Sequence, residues 1–202
     1  PAEKAGLRAG DLLLLVAGTP VDDLAAYSAV LKDHAPGDVI PLVYRRGEER
    51  RSVEITLVDG DDPDGWREAL RPATRALYLE TVSNPLLRVP ELEAAVGFAR
   101  EHDLVSVIDN TFATPLGFRP PEAGFDLSLH SATKYLNGHS DLVAGAVLGR
   151  ADLVAAVRRR LHQLGGSLDP HACFLLARGI QTLSLRVRRQ AASALRLARA
   201  LE

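Results

Sequence analysis

Methionine, cysteine and lysine are absent or scarce in this chain. Among 202 residues there is no methionine, one cysteine and 3 lysines against 21 arginines. A single cysteine excludes an internal disulfide, so we expect a reducing compartment, the cytoplasm. Cys173 lies in the apolar run 172–176, where we expect it to pack as a small hydrophobic residue. Because a natural reading frame opens with methionine and this chain opens with Pro1, we expect a piece of a longer protein.

Large net charge and long apolar runs are also missing. The formal net charge of −2 at pH 7 gives no reason to expect nucleic acid or an anionic membrane surface as a partner. No apolar stretch approaches the length that spans a bilayer, and the first residues do not follow a signal-peptide pattern. The remaining composition, 47% hydrophobic and 25% charged, is typical of a globular protein.

The scarcity of lysine draws attention to Lys134, the only lysine after Lys32. Arginine replaces lysine as a surface cation, but it cannot lose its proton and attack a carbonyl carbon. A neutral lysine amine can, and Schiff-base chemistry requires one. For an isolated lysine, a solvated position on a loop is the ordinary interpretation. The residues around Lys134 favour the chemical one.

Residues 1–57 are predicted to form a small α+β unit. Its predicted elements are strands over 12–16, 39–45 and 51–57 and a helix over 24–34. The run PAEKAGLRAGD at 1–11, the turn near Gly18 and PGD at 36–38 resemble the later part of a PDZ domain. A PDZ domain binds a peptide between a strand and a helix, and only the helix has a counterpart here. The resemblance therefore implies a partial PDZ-like segment.

Residues 58–202 alternate between strand and helix signals. The predicted strands cover 76–80, 104–108, 127–130 and 144–148, and the predicted helices cover 63–70, 90–102, 151–163, 171–178 and 184–201. This alternation predicts an α/β domain with a mainly parallel sheet. In such sheets, ligands bind at the carboxyl ends of the strands.

Polar residues follow the predicted strands at those ends: Asn84, Asp109, Thr111, Ser131, Thr133 and Lys134. An aldehyde cofactor such as pyridoxal phosphate requires an amine, a carboxylate beside its ring nitrogen, donors for its phosphate and a polar group near its ring oxygen. The set offers an amine at Lys134, a carboxylate at Asp109, hydroxyls at Ser131 and Thr133, and an amide at Asn84. Each residue alone has an ordinary structural explanation, because such residues also cap and turn the chain. No histidine or cysteine spacing indicates a metal site.

Four runs carry a family resemblance: LETVSNP at 79–85, VIDNTFA at 107–113, HSATKYLNGHSD at 130–141 and RGIQTL at 178–183, with Arg186 after the last. Residues 58–202 resemble the central part of the pyridoxal-phosphate enzymes of cysteine and methionine metabolism, such as cystathionine γ-synthase, cystathionine γ-lyase and methionine γ-lyase. The resemblance implies the truncated, mainly parallel sheet of a fold-type I large domain.

The resemblance also implies a reaction and roles for the site residues. The reaction is elimination or replacement at the β or γ carbon of a sulfur amino acid, in a homo-oligomer. Lys134 forms the Schiff base, Asp109 pairs with the ring nitrogen, Ser131 and Thr133 contact the phosphate, and Asn84 contacts the ring oxygen. Thr111 is included as a further cofactor-binding residue.

Three functional hypotheses remain open from the sequence. The first is a pyridoxal-phosphate lyase or transferase whose turnover is impaired, since these enzymes are longer and part of the phosphate cup has no counterpart here. The second is a PDZ-like peptide-binding module joined to a vestigial enzyme piece. The third is a chimera without function.

Overall fold

The computed structural model describes residues 12–21, 26, 30, 33–35, 37–56, 59, 62–84 and 86–201. The backbone divides into two compact units with the boundary between Thr74 and Arg75. The predicted domain boundary after residue 57 stays a prediction, and Leu57 and Val58 lie outside the described residues.

The first unit contains an antiparallel sheet. Its strands, in the spatial order β2-β1-β3-β4, are β1 (Leu12–Val16), β2 (Thr19–Pro20), β3 (Val39–Arg46) and β4 (Glu49–Thr56). Alternate residues Ile40, Leu42 and Tyr44 of β3 face the core and are buried, as the period of two along a strand requires. The three predicted strands are confirmed. Of the predicted helix over 24–34, Ala26 and Val30 are helical, and most of the rest lies outside the described residues.

Helix α1 (Pro63–Ala69) follows the sheet of the first unit in sequence. The side chain of Asp62 accepts a hydrogen bond from the Asp64 N–H, and proline occupies the first turn, both common features of a helix start. Trp66 is buried, and its indole N–H donates to the Asp59 carbonyl at 2.9 Å.

The second unit contains a sheet of order β5-β6-β7-β8 among its described residues. Its strands are β5 (Ala76–Glu80), β6 (Val105–Asp109), β7 (Leu127–Ser131) and β8 (Gly145–Gly149). The first three run parallel, and β8 runs antiparallel to β7. The prediction of an α/β fold with a mainly parallel sheet is therefore confirmed.

Six helices accompany this sheet in the described part of the second unit: α2 (Leu92–Glu101), α3 (Thr114–Gly117), α4 (Pro120–Ala123), α5 (Ala151–Leu164), α6 (Pro170–Gln181) and α7 (Leu183–Leu201). The four long ones were predicted to within a few residues at each end. Helices α3 and α4 were not, because four residues are too few to show a helical hydrophobic period.

The two faces of the second sheet differ in burial. On one face, Ile108 packs with Val96 of α2 and with Phe125, and Ser128 and His130 are also buried. On the other face, Asp109, Leu129 and Ser131 are half-buried. The polar ends of β6 and β7 therefore lie on the more open face.

Cys173 corrects one expectation. Cys173 lies on α6 and is exposed, so it does not pack as a small hydrophobic residue. Its apolar neighbours Phe174 and Ile180 are also exposed, at 63% and 46%. The apolar run therefore marks a helix with a largely uncovered outer surface.

Among the described helices, none combines the length and apolarity needed to cross a bilayer.

Candidate active site

Asp109 ends β6 with its carboxylate fixed by backbone contacts. Its Oδ1 accepts a hydrogen bond from the Thr111 N–H at 2.9 Å. Its carbonyl oxygen accepts the Thr81 N–H at 2.9 Å, which ties the end of β6 to the residue after β5. The carboxylate is half-buried, so an incoming group can reach it.

A path of hydrogen bonds leads from Asp109 to Lys134. The Thr111 N–H donates to the carboxylate, the Thr111 Oγ1 accepts the Ser131 N–H at 2.7 Å, and the Ser131 carbonyl accepts the Lys134 N–H at 3.1 Å. Asp109 is also paired in register with Leu129, two residues before Ser131, so Asp109 and Ser131 share a face of the sheet. Four of the six predicted site residues thus lie together.

Lys134 lies in a turn after β7 and is exposed. Its carbonyl oxygen accepts the Gly138 N–H at 2.7 Å, which closes the turn. The ring of the next residue, Tyr135, lies 6.3 Å from that of Phe112 between centroids, so the segments after β6 and β7 also touch through aromatic side chains. Because Lys134 is exposed, its amine is accessible to a small aldehyde.

The hydroxyl of Thr133, a predicted phosphate ligand, is hydrogen-bonded to the backbone of Ala144. It donates to the Ala144 carbonyl at 3.2 Å and accepts the Ala144 N–H at 2.9 Å. A hydroxyl has one proton to donate, and here it points to a backbone oxygen. The contact of Thr133 with a phosphate stays a prediction that requires this hydroxyl to turn.

Asn84 follows β5 at the same edge of the sheet. Its N–H donates to the Glu80 carboxylate at 2.9 Å, and Glu80 is paired in register with Asp109. The residue is exposed. Its contact with a ring oxygen stays a prediction.

Tyr78 is a residue of this site that the sequence analysis missed. Desolvation of its hydroxyl and the negative charges of Asp109 and Glu80 raise the pKa of Tyr78 to about 12, although the residue as a whole is 54% exposed. The Tyr78 hydroxyl therefore lies near the Asp109 carboxylate. The signal was available, because Tyr78 lies two residues before Glu80 and so on the same face of β5.

Asn110 is a second missed residue. It is fully buried, with its Oδ1 accepting the Thr81 hydroxyl at 2.8 Å and its Nδ2 donating to the Phe118 carbonyl at 2.9 Å. Its N–H donates to the Leu129 carbonyl at 2.8 Å. Asn110 therefore joins the ends of three neighbouring strands directly behind Asp109.

His130 lies on the opposite, buried face of the sheet. Burial lowers its pKa, and the charge of Asp109 partly opposes that shift. Its Nε2 lies 3.3 Å from the Ser128 Oγ. Within the described part of the chain, no three side chains of the His, Cys, Asp or Glu type group as a metal site.

The comparison with protein families agrees with this geometry. Residues 42–202 match the sequence model described as Cys/Met metabolism PLP-dependent enzyme. The chain belongs to this family. Residues 1–46 match the model of the PDZ domain, so the resemblance seen in each part of the sequence is confirmed. The two matches overlap within β3.

Known members of the Cys/Met family align with most of the chain. It is 42% identical over 190 residues to a cystathionine beta-lyase of Lactococcus lactis, covering 89% of this chain and 50% of the relative. It is 40% identical over 159 residues to an L-methionine gamma-lyase of Porphyromonas gingivalis, covering 77% and 40%.

A solved structure of the family also shares the fold. The cystathionine gamma-lyase of Lactobacillus plantarum, complexed with L-serine, is 41% identical with a TM-score of 0.62, covering 64% of this chain and 34% of that one. The chain thus spans half or less of the length of these family members. The family uses pyridoxal 5'-phosphate.

Proposed function

We propose that this chain carries the Schiff-base lysine and the ring-binding carboxylate of a pyridoxal-phosphate enzyme that eliminates or replaces a group at the β or γ carbon of a sulfur amino acid. The observation that carries the proposal is the hydrogen-bonded path from the Asp109 carboxylate through Thr111 and Ser131 to Lys134. Membership of the Cys/Met family supplies the reaction class.

The chemistry of the residues present fits the cofactor. Lys134 offers an exposed amine for its aldehyde, and Asp109 offers a half-buried carboxylate for its ring nitrogen. Ser131 has its N–H occupied by Thr111, and its hydroxyl is a donor for the phosphate. When bound, pyridoxal phosphate supplies an aldehyde that condenses with amines and a protonated ring that draws electrons from the substrate's α carbon.

Some residues of the chain would bind the cofactor, and Lys134 would also transfer a proton. Lys134 would hold the cofactor through its Nζ, and the same Nζ, once free, would be the base for the proton on the substrate's α carbon. The Asp109 carboxylate would pair with the protonated ring nitrogen. The Thr111 N–H, a donor to Asp109, would hold that carboxylate in place.

Substrate class, assembly and location are part of the same proposal. The relatives named as cystathionine beta-lyase and L-methionine gamma-lyase support a sulfur amino acid as substrate. Exposed leucines of α7, such as Leu195 and Leu197 at 52% and 65%, support burial against a second copy in a homo-oligomer. The single cysteine supports a cytoplasmic location.

The proposed reaction is tested with the full chain, pyridoxal phosphate and, in turn, cystathionine, methionine and an O-acylhomoserine. We expect slow release of a 2-oxo acid from at least one of them, in keeping with the impaired turnover that the sequence predicts. Lys134→Arg keeps the positive charge but removes the nucleophile, so it abolishes this release. Lys32→Arg is the matched control and keeps it. Equal release by wild type and Lys134→Arg contradicts the proposal.

A further inference from the structure

We propose that Arg186 is a positioning residue of this site. Its guanidinium donates hydrogen bonds to the backbone carbonyls that follow Lys134 and so fixes where the amine lies relative to Asp109. The inference deepens the proposed function and rests on it. Arg186 lies on α7.

One guanidinium makes contacts to two parts of the chain. Toward the segment after Lys134, which we define as residues 135–138, its Nη1 donates to the Tyr135 carbonyl at 2.8 Å, and its Nη2 lies 3.4 Å from the carbonyls of Leu136 and Asn137. Toward the junction of α6 and α7, it donates to the Gly179 carbonyl at 2.8 Å and the Thr182 Oγ1 at 3.0 Å.

These contacts require the shape of arginine. Several backbone carbonyls converge on one cation, and a planar guanidinium presents five N–H donors in a rigid fork. A lysine ammonium is compact and has three donors, so it cannot reach both the Tyr135 side and the Thr182 side at once. Arg186 is half-buried, which limits competition from water for these oxygens.

Two glycines allow the segment to approach the helices this closely. Gly138 has φ of +73°, and a side chain there would collide with the Arg186 guanidinium. A side chain at Gly179 on α6 would collide with the Asn137 carbonyl. The backbone after Lys134 therefore rests directly on α6 and on Arg186.

Apolar packing seats the same segment. Leu136 is buried with Ala132 and with Leu183, the first residue of α7. A second tie runs through Asp141, which accepts from Asn137 Nδ2 and from Arg178, both at 2.8 Å. Arg178 contacts a side chain and is about half-exposed, so its ion pair contributes less than the part-buried contacts of Arg186.

Fixing this segment fixes the backbone that carries the amine. The Lys134 carbonyl accepts the Gly138 N–H, so the turn that carries the lysine is closed by a residue that Arg186 touches. If the guanidinium is removed, the turn gains freedom and the amine spends less time facing Asp109. Cofactor capture then weakens, although no residue that touches the cofactor has changed.

The first test needs no cofactor. Hydrogen–deuterium exchange of the full chain reports the backbone amides of residues 134–138 in wild type, Arg186→Ala, Arg186→Lys and Arg189→Ala. We expect Arg186→Ala to raise their exchange rate about tenfold or more, the effect of losing several hydrogen bonds to a charged donor. Arg186→Lys should fall in between. Arg189→Ala, an exposed arginine of the same helix, should match wild type.

The second test measures the affinity for pyridoxal phosphate and the pH at which half of Lys134 is trapped by borohydride. Arg186→Ala should bind about tenfold more weakly and shift that pH, with partial rescue by Arg186→Lys and no change in Arg189→Ala. A residue that only stabilises the fold would leave the pH profile of the bound fraction unchanged.

The outcomes separate the two proposals. If the exchange rates in Arg186→Ala equal those of wild type, Arg186 does not hold residues 135–138 in place. Faster exchange with unchanged affinity and pH profile overturns the positioning role. If exchange is faster in Arg186→Ala but the wild-type protein traps no cofactor, the proposed role of Lys134 is overturned. The contact of Arg186 with residues 135–138 is then still supported. If Arg186→Ala does not fold, Thr182→Val removes one partner of the guanidinium, and wild-type exchange in that variant counts against the proposal.

Discussion

Among single residues, the proposed chemistry depends most on Asp109. The Thr111 N–H donates to its Oδ1 at 2.9 Å. The negative charge of this carboxylate contributes to the raised pKa of Tyr78 on the neighbouring strand.

The raised pKa of Tyr78 gives a prediction for this residue. In a spectrophotometric titration, the difference between wild type and Tyr78→Phe should show one tyrosine that ionises near pH 12. Asp109→Asn removes a neighbouring charge, so it should lower that pKa toward the ordinary value of 10.0. Glu80→Gln is the control and should lower it less, since Asp109 contributes more to the shift. Ionisation of Tyr78 near pH 10 in wild type would contradict the contact.

The raised pKa of Tyr78 also determines how its contribution to the free energy of unfolding changes with pH. A raised pKa means that the folded state holds the Tyr78 proton more tightly than the unfolded state does. This contribution to the free energy of unfolding is complete below pH 10 and is lost as the pH rises through about 12. Tyr78→Phe should lack this loss.

At the scale of elements, Asp126 ties neighbouring strands together. It lies just before β7, and its Oδ2 accepts the N–H and the hydroxyl of Ser106 in β6, both at 2.9 Å. Its Oδ1 accepts from Arg150 at 3.0 Å, just after β8. Burial alone would raise the pKa of Asp126, but the hydrogen bonds from Ser106 and Arg150 outweigh it and lower the pKa.

Asp126→Asn should therefore lower the free energy of unfolding by about 1.5–3 kcal/mol at neutral pH, the range for hydrogen bonds to a charged group. Because the folded pKa is lowered, the contribution is present above the ordinary value of 3.8 and is lost as the pH falls through the folded pKa. Urea denaturation of wild type and variant should thus converge in acid. Asp152→Asn, an exposed partner of the same arginine, is the control and should change little. A difference that does not depend on pH would contradict this account.

The sequence predicts the elements well where a pattern repeats and fails where it does not. The apolar strands β5, β6 and β7 and the long helices follow from period and punctuation. The pattern does not contain the direction of β8, because apolar alternation is the same for parallel and antiparallel strands. It also does not predict α3 or α4, because only their prolines indicate these short helices.

The sequence likewise predicts one part of the site and not the other. The set at the strand ends was predictable, because parallel strands place their carboxyl ends at one edge. The bond of Thr133 to Ala144 and that of Arg186 to Tyr135 join residues 11 and 51 positions apart. Contacts at such separation follow from packing of the whole unit, so motif spacing did not predict them.

At the scale of the whole molecule, the chain consists of two compact units with separate cores. Val16, Ile40 and Leu42 belong to a core cluster of the first unit, and Val96, Ile108 and Phe125 to one of the second. The one tryptophan, Trp66, lies in the first unit, whereas the long helices lie in the second. Tryptophan fluorescence and helical circular dichroism therefore report different units.

This division predicts two separable unfolding transitions. Ile40→Ala removes a core side chain that is 2% exposed, so it should destabilise the first unit by about 2–5 kcal/mol and shift the fluorescence transition in urea. Ile108→Ala is the matched change in the second unit and should shift the circular dichroism transition. If either variant moved both transitions equally, the units would unfold as one.

Peptide mapping after borohydride reduction of the full chain with pyridoxal phosphate tests whether Lys134 forms the Schiff base. We expect a reduced pyridoxyl group on Lys134 at cofactor concentrations that leave Lys4 and Lys32 unlabelled, and weaker labelling of Lys134 in Asp109→Asn. Labelling spread evenly over the three lysines, or unaffected by Asp109→Asn, would contradict it.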